Sequence, residues 1–185
     1  MTRKERYIEW ANEQEFMPIY MRPWWLDAVC AGKEWDVILS EDDHGTILGA
    51  MPFLLRKRLW WKYILMPQMT QVGGIWVDPI VTAANWKKAE VCRQLKEQLD
   101  TMGLSYYYQQ YAPGSLCVEP MKALGFKIRE RVTYRIENLS NLDELIASFS
   151  KNKKRQLQKA LSLHVDKTMD GEQFYRFHKQ CLQAR

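Results

Sequence analysis

Three apolar runs in a row, each closed by a turn signal, restrict what this chain can fold into more than anything else in it. They occupy residues 35–40, 46–55 and 60–66. Glu41-Asp-Asp-His-Gly45 separates the first two, and Gly45 is free to take a positive φ. Arg56-Lys-Arg58 separates the second from the third. Short apolar runs joined by tight turns pair antiparallel, which predicts a three-stranded meander. Pro52 has no N–H to donate, so a bulge or an unpaired edge position is expected there. Residues 83–102 then read as the longest helix. Trp86, Ala89, Val91, Cys92, Leu95 and Leu99 supply its apolar face, and Gly103 its stop. A crossover of that length can bring the next strand in parallel to an earlier one.

The remaining elements follow from local pattern. Residues 6–10 read as a short strand. Residues 21–32 read as a helix with Pro23 in its first turn and Gly32 past its end. From 67 to 79 the pattern is irregular, and Gly73-Gly74 allows a tight turn or a close backbone approach. Residues 104–111 predict a strand, with Tyr106, Tyr108 and Gln110 on one side and Tyr107, Gln109 and Tyr111 on the other. A short helix at 119–124 ends at Gly125, and 126–136 alternates as a strand. The order β-α-β-β-β-α-β-α-β predicts an α/β (α+β mixed) fold, a mixed sheet flanked by helices, followed by a helical C-terminal tail.

The tail begins with Leu139…Val165, two helices broken near Phe149 and Ser150. Ser140 or Asn141 can cap the first, and Ser150 the second. In the second, Leu157, Ala160 and Leu161 share one face, while Lys151, Arg155 and Lys159 stand four apart on another. Such a run of like charge suits water or an anion. A short strand at 164–168 and a last helix from 171 or 172 complete the tail. The last helix has Phe174, Phe177 and Cys181 or Leu182 as its apolar side. The expected division is residues 1–150 as one domain and 151–185 as a basic linker helix leading into a second half.

Charge is distributed unevenly. The chain has 185 residues and a formal net charge of +5. Residues 151–185 hold nine Lys or Arg against three Asp or Glu, so they carry +6 and the body carries −1. A general nucleic-acid binder would want its basic face on the body, so specific nucleic-acid binding is not expected. No apolar run approaches membrane-spanning length. The four cysteines are scattered without CxxC spacing, which reads as free thiols in a reducing, cytoplasmic setting. His44, His164 and His178 have no ligand-like spacing, so no metal site is expected.

Several stretches together resemble one family. Pro23-Trp24-Trp25-Leu26, Ile47-Leu-Gly-Ala-Met-Pro-Phe53, Pro67 with Gly73-Gly74, and above all Leu139…Leu145…Phe149-Ser150…Lys154-Arg155…Lys159-Ala160 are similar to the N-terminal half of FemAB-like proteins. These are the peptidoglycan-bridge aminoacyltransferases and their relatives of GNAT type, the acyl-CoA N-acyltransferase fold. Phe174-Tyr-Arg-Phe-His178 resembles the helix that opens the next part of those proteins. The resemblance implies acyl or aminoacyl transfer to an amine, with this half supplying the substrate-binding surface. Family members have two GNAT-like halves, and this chain ends where the second would begin. An ordinary GNAT enzyme also cradles the pyrophosphate of coenzyme A in a Gln/Arg-x-x-Gly-x-Gly/Ala loop before its long helix. Here only Gln71-Val-Gly-Gly74 is found, which does not fit that spacing. No cofactor is therefore expected for this chain, and acyl-CoA or aminoacyl-tRNA enters as donor only if a second half is present. The alternative is a non-catalytic GNAT-like binding module for an anionic ligand or a protein partner.

Candidate substrate-binding residues are Trp76 and Asp78 after the glycine pair, Tyr106, Tyr108 and Gln110 on the strand, and Arg155 and Lys159 on the basic helix. The strand residues have flat, hydrogen-bonding side chains that could hold a sugar or peptide, or pack under a helix. Trp76 and Asp78 suit a substrate loop, or a turn beside a core aromatic. Arg155 and Lys159 suit phosphate or carboxylate, or a solvated face. No catalytic residue declares itself, for there is no GxSxG, HExxH or P-loop. The partner expected is an amine-bearing substrate that can also be anionic, with self-association through the C-terminal helix.

Overall fold

The computed structural model describes residues 1–30, 35–78, 85–134, 136, 138–165 and 167–183. The chain forms two compact units, Met1–Glu130 and Arg131–Arg185. The first is a mixed sheet flanked by helices. Its elements in order are α1 (Arg3–Glu13), α2 (Pro23–Cys30), β1 (Trp35–Glu41), β2 (Ile47–Arg58), β3 (Trp61–Leu65), β4 (Trp76–Val77), α3 (Asn85–Thr101), β5 (Tyr106–Tyr107) and α4 (Val118–Ala123).

The meander is present as its turn chemistry predicts. β1 pairs antiparallel with β2, and β2 with β3. Asp42 ties the first turn by accepting from the backbone N–H of His44 at 2.9 Å and of Thr46 at 2.8 Å. The second turn lies later than the Arg56–Arg58 cluster suggests: β2 runs on through Arg58, and the turn is Leu59-Trp60. The irregularity in β1–β2 pairing falls at Ser40/Glu41, not at Pro52. On its other side β2 meets β4 at Gly49 and Ala50 and β3 from Leu54 onward, so Pro52 stands between two neighbours where its missing N–H does little harm. After the α3 crossover, β5 pairs parallel with β3.

Alternation along the strands divides the core into two layers. On one face Trp35, Val37, Leu39, Ala50 and Leu54 pack with Tyr7, Trp10, Ala11 and Leu26 of α1 and α2. On the other Ile38, Met51, Phe53 and Ile64 pack with Val91, Cys92, Leu95 and Leu99 of α3 and Cys117 and Met121 beside and on α4. Of the expected apolar face of α3, Ala89 is exposed, and the Trp86 side chain lies outside what is described. Two polar residues of α3 serve the outer edge of β1 instead. Gln98 Nε2 donates to the Leu39 carbonyl at 2.6 Å, and Gln94 Oε1 accepts from Ser40 Oγ at 2.6 Å and from the Glu41 N–H at 3.2 Å. A strand edge occupied this way is a poor template for another strand.

Three expected strands before the tail fail in whole or in part. Residues 6–10 are helix, not strand. Thr2 and Glu5 make a reciprocal capping box at its start, and Tyr7, Trp10 and Ala11 are buried at helical, not alternating, spacing. Residues 104–111 form only a two-residue ladder, because the chain changes neighbours. Ser105 and Tyr108 donate to β3 carbonyls, whereas Gln110 accepts from Gly73 N–H at 2.7 Å and Tyr111 bridges Gly73. The described part of 126–136 carries no strand. With β5 so short, no described strand offers it a ladder, and Phe126 packs edge-on to Tyr107 at 5.3 Å.

In the second unit α5 (Leu142–Ser148), α6 (Lys151–Ala160) and α7 (Gly171–Gln183) are present, and the first two are capped by Asn141 and Ser150 as the sequence suggests. The predicted strand at 164–168 is absent among the described residues. No described residue of this unit is buried. Helices of 7, 10 and 13 residues without a buried face are marginal in water. No helix among the described residues is long and apolar enough to cross a membrane.

Candidate functional site

Gly73-Gly74-Ile75-Trp76-Val77-Asp78 threads between the two helix layers and is fixed at both ends. At the glycine end, Gly73 N–H donates to the Gln110 carbonyl at 2.7 Å and Gly74 N–H to Gln109 Oε1 at 2.9 Å. Gly74 has φ +87°, and a Cβ there would stand 2.8 Å from the Tyr111 ring. Both its conformation and its contact therefore require glycine. At the other end the Asp78 N–H donates to the Leu48 carbonyl at 3.0 Å.

Trp76 opens β4 and Asp78 lies just past its end, two residues on. One buried side chain links them. The Trp76 indole Nε1 donates to Gln14 Oε1 at 3.1 Å, and Gln14 Nε2 donates to Asp78 Oδ2 at 2.9 Å. Gln14 is 8% exposed and caps the end of α1. Its own carbonyl accepts from Arg22 Nη2 at 2.5 Å, and Arg22 Nη1 donates to the Ala11 carbonyl at 2.6 Å. A cation thus closes the carbonyl end of α1, where the helix dipole favours positive charge. Among the described residues no buried side-chain nitrogen or oxygen lacks a partner.

The adjoining layer is phenolic. Tyr107 Oη donates to Met51 Sδ at 3.2 Å and lies 3.5 Å from Tyr111 Oη. Burial pushes both phenols above the ordinary tyrosine value, so they stay neutral donors and do no base chemistry near neutrality. Cys117, hydrogen-bonded to Cys92 and buried, is held above the usual thiol range. Cys92 and Cys117 are both shut away from solvent, which removes them as nucleophiles.

The sequence-predicted residues separate into groups. Trp76 and Asp78 are brought together through Gln14. Tyr108 Oη meets Gln110 Oε1 at 3.4 Å, both half-buried, while Tyr106 is exposed. Arg155 and Lys159 belong to α6 of the second unit, where both are exposed and Arg155 donates to Asn152 at 3.4 Å. Gln14 and Arg22 were not legible as site residues, for nothing in a lone glutamine announces a partner 62 and 64 positions away. A groove of about 590 Å³ lies elsewhere, lined by Asp36, Ile38, Phe53, Lys57, Gln98 and Met102 among others. It contains none of the predicted residues. Among the described residues no cluster of His, Cys, Asp and Glu could hold a metal ion.

No family model matches the chain, and no curated protein does. Several solved structures overlap it in part. An acetyl transferase from Pyrococcus furiosus is 13% identical with a TM-score of 0.40, covering 72% of this chain and 91% of its own. An aminoglycoside antibiotic 6'-N-acetyltransferase from Acinetobacter haemolyticus is 14% identical with a TM-score of 0.39, covering 74% and 92%. An aminoglycoside N-acetyltransferase solved in complex with CoA is 14% identical with a TM-score of 0.42, covering 75% and 96%. No residue role follows from overlaps of this size.

Proposed function

We propose that the chain serves acyl or aminoacyl transfer to an amine, in the manner of the GNAT and FemAB-like proteins its sequence resembles, and that the Met1–Glu130 unit supplies the acceptor-binding surface. The observation that carries this reading is the Trp76–Gln14–Asp78 chain beside the clamped Gly73-Gly74 turn. An amine acceptor arrives as an ammonium ion. A carboxylate held in one orientation by a buried amide attracts it, and a half-buried indole offers a face for cation–π contact. In the transfer itself the amine, having lost a proton, attacks the donor carbonyl, and the donor's thiol or hydroxyl leaves. The contribution of this surface is to hold the amine in position.

Residues 79–84, directly before α3, lie outside the described residues. The sequence there and just before lacks the glycine spacing that cradles coenzyme A, so the donor site is not assigned to this unit. The same reading has a second copy of the chain covering the apolar side of α7, where Phe174, Phe177 and Leu182 are all more than half exposed. Sedimentation of the chain against a Phe174→Ser, Phe177→Ser variant tests that part, and equal monomeric masses would end it.

The acceptor surface is tested by following the indole N–H resonance of Trp76 during titration with a lysine-bearing peptide. A shift that saturates, and that disappears in Asp78→Asn, is expected. A resonance that stays still while the peptide binds would place the acceptor elsewhere.

A further inference from the structure

The β2–β3 hairpin ends in a tip that serves neither core layer nor the acceptor surface. Its turn residues Leu59 and Trp60 are 82% and 81% exposed, and Trp61 is 57% exposed. Arg56, Lys57, Arg58 and Lys62 stand directly behind, and no acidic residue occurs from 54 to 66. We propose that this tip docks on the surface of an anionic lipid bilayer.

Three features that are unfavourable in water coincide in these few residues. Leu59 has φ +55°, at the first position of a two-residue hairpin turn, where glycine is the residue of choice. Backbone strain retained at an exposed apolar apex points to a use for that apex. Lys57 stands directly across from Lys62 in the antiparallel register, a like-charge pair that weakens the ladder. The apex itself offers two large apolar side chains to solvent, next to Trp61. An anionic bilayer relieves the last two, because it buries the apex and neutralises the facing lysines, and the strained turn is what presents the apex to it.

The spacing suits an interface. Arg58 pairs with Trp61, Lys57 with Lys62 and Arg56 with Tyr63. At about 3.3 Å per residue these pairs stand roughly 3, 7 and 10 Å behind the turn. Apolar groups at an interface reach about 5–10 Å in, with cations at headgroup level behind them. Trp61, Tyr63 and its neighbour in register Tyr106 add the amphipathic rings that favour this depth.

The cations also choose between polyanions. By strand alternation Lys57 and Lys62 lie on one face of the ribbon and Arg56 and Arg58 on the other. Lys62 is turned toward the end of α3, where its ammonium donates to the Met102 carbonyl at 3.4 Å. A nucleic-acid backbone follows one face, whereas headgroups around an inserted tip reach both.

The test is flotation of the full chain with phosphatidylcholine vesicles, with and without phosphatidylglycerol. Flotation with the anionic vesicles alone is expected, and the Leu59→Gly, Trp60→Ser variant should lose about tenfold in binding. That variant keeps its fold, since glycine suits the Leu59 backbone, and a melting temperature at or above that of the parent checks this. Three results would overturn the proposal. They are no flotation, flotation unchanged by the tip variant but abolished by Gln at Lys151, Lys153, Lys154 and Arg155, or tip-dependent binding to a duplex oligonucleotide without binding to vesicles.

Discussion

Gln14 Nε2 donates to Asp78 Oδ2 across 2.9 Å, joining residues 64 positions apart, and the same side chain accepts from the Trp76 indole. One buried amide therefore fixes the orientation of two predicted site residues at once. Replacing it tests both the packing and the site.

Gln14→Leu leaves the Trp76 N–H and an Asp78 oxygen without this partner. Removing one side of a buried hydrogen-bonded pair costs about 1–3 kcal/mol. Urea denaturation should show a loss of that size. Gln14→Glu should lose more near neutral pH than in mild acid, because it sets a second carboxylate against Asp78.

Gly74→Ala should be more harmful than Gly45→Ala. Both glycines have positive φ, at +87° and +80°, where an L side chain costs roughly 1–2 kcal/mol. Nothing lies within 4 Å of a Cβ at Gly45, but at Gly74 the Tyr111 ring lies at 2.8 Å. The difference between the two losses, read from chemical denaturation, isolates the steric part. Tyr111→Ala in the Gly74→Ala background should recover none of the conformational part.

How much of this was legible in sequence depends on range. The meander follows from the apolar runs and from the first turn, where Gly45 sits as the turn needs, whereas the second turn, Leu59-Trp60, carries no turn signal of its own. The α3 crossover to a parallel strand follows from length, but that its neighbour is β3 does not. Residues 6–10 misled because five residues with two aromatics fit a strand, while the signals that decide for helix, Thr2 and Glu5, stand outside the window. The 126–136 alternation failed for want of a neighbour strand, which no local pattern reveals. Within the site, Trp76 and Asp78 were readable as candidates only from their place after the glycine pair. The glutamine joining them was not, because its role exists only once α1 and β4 are packed together.

Alkaline pH should destabilise the first unit through its buried phenols. Tyr107 and Tyr111 are raised above the ordinary value of 10.0, chiefly by burial. Folded protein then holds protons that the unfolded chain gives up. The stabilisation is complete below about pH 10 and falls as pH rises beyond it. A Tyr107→Phe, Tyr111→Phe variant should show a shallower fall in unfolding free energy over that range. An identical slope would remove these phenols from the explanation.

Acetyl-coenzyme A should not bind this chain at micromolar concentrations, since Gln71-Val-Gly-Gly74 lacks the spacing that cradles a pyrophosphate. Calorimetric titration decides it. Saturable binding at one site would return the donor to this chain.

The most direct measurement compares a lysine-bearing peptide with its Nε-acetylated counterpart by calorimetry, on the parent chain and on Asp78→Asn. Acetylation removes the charge that Asp78 is proposed to hold. The free amine should bind at least about tenfold more tightly than the acetylated peptide, and Asp78→Asn should abolish that preference. Equal affinity of the parent chain for the two peptides, or a preference that survives Asp78→Asn, would contradict an acceptor surface built on Asp78.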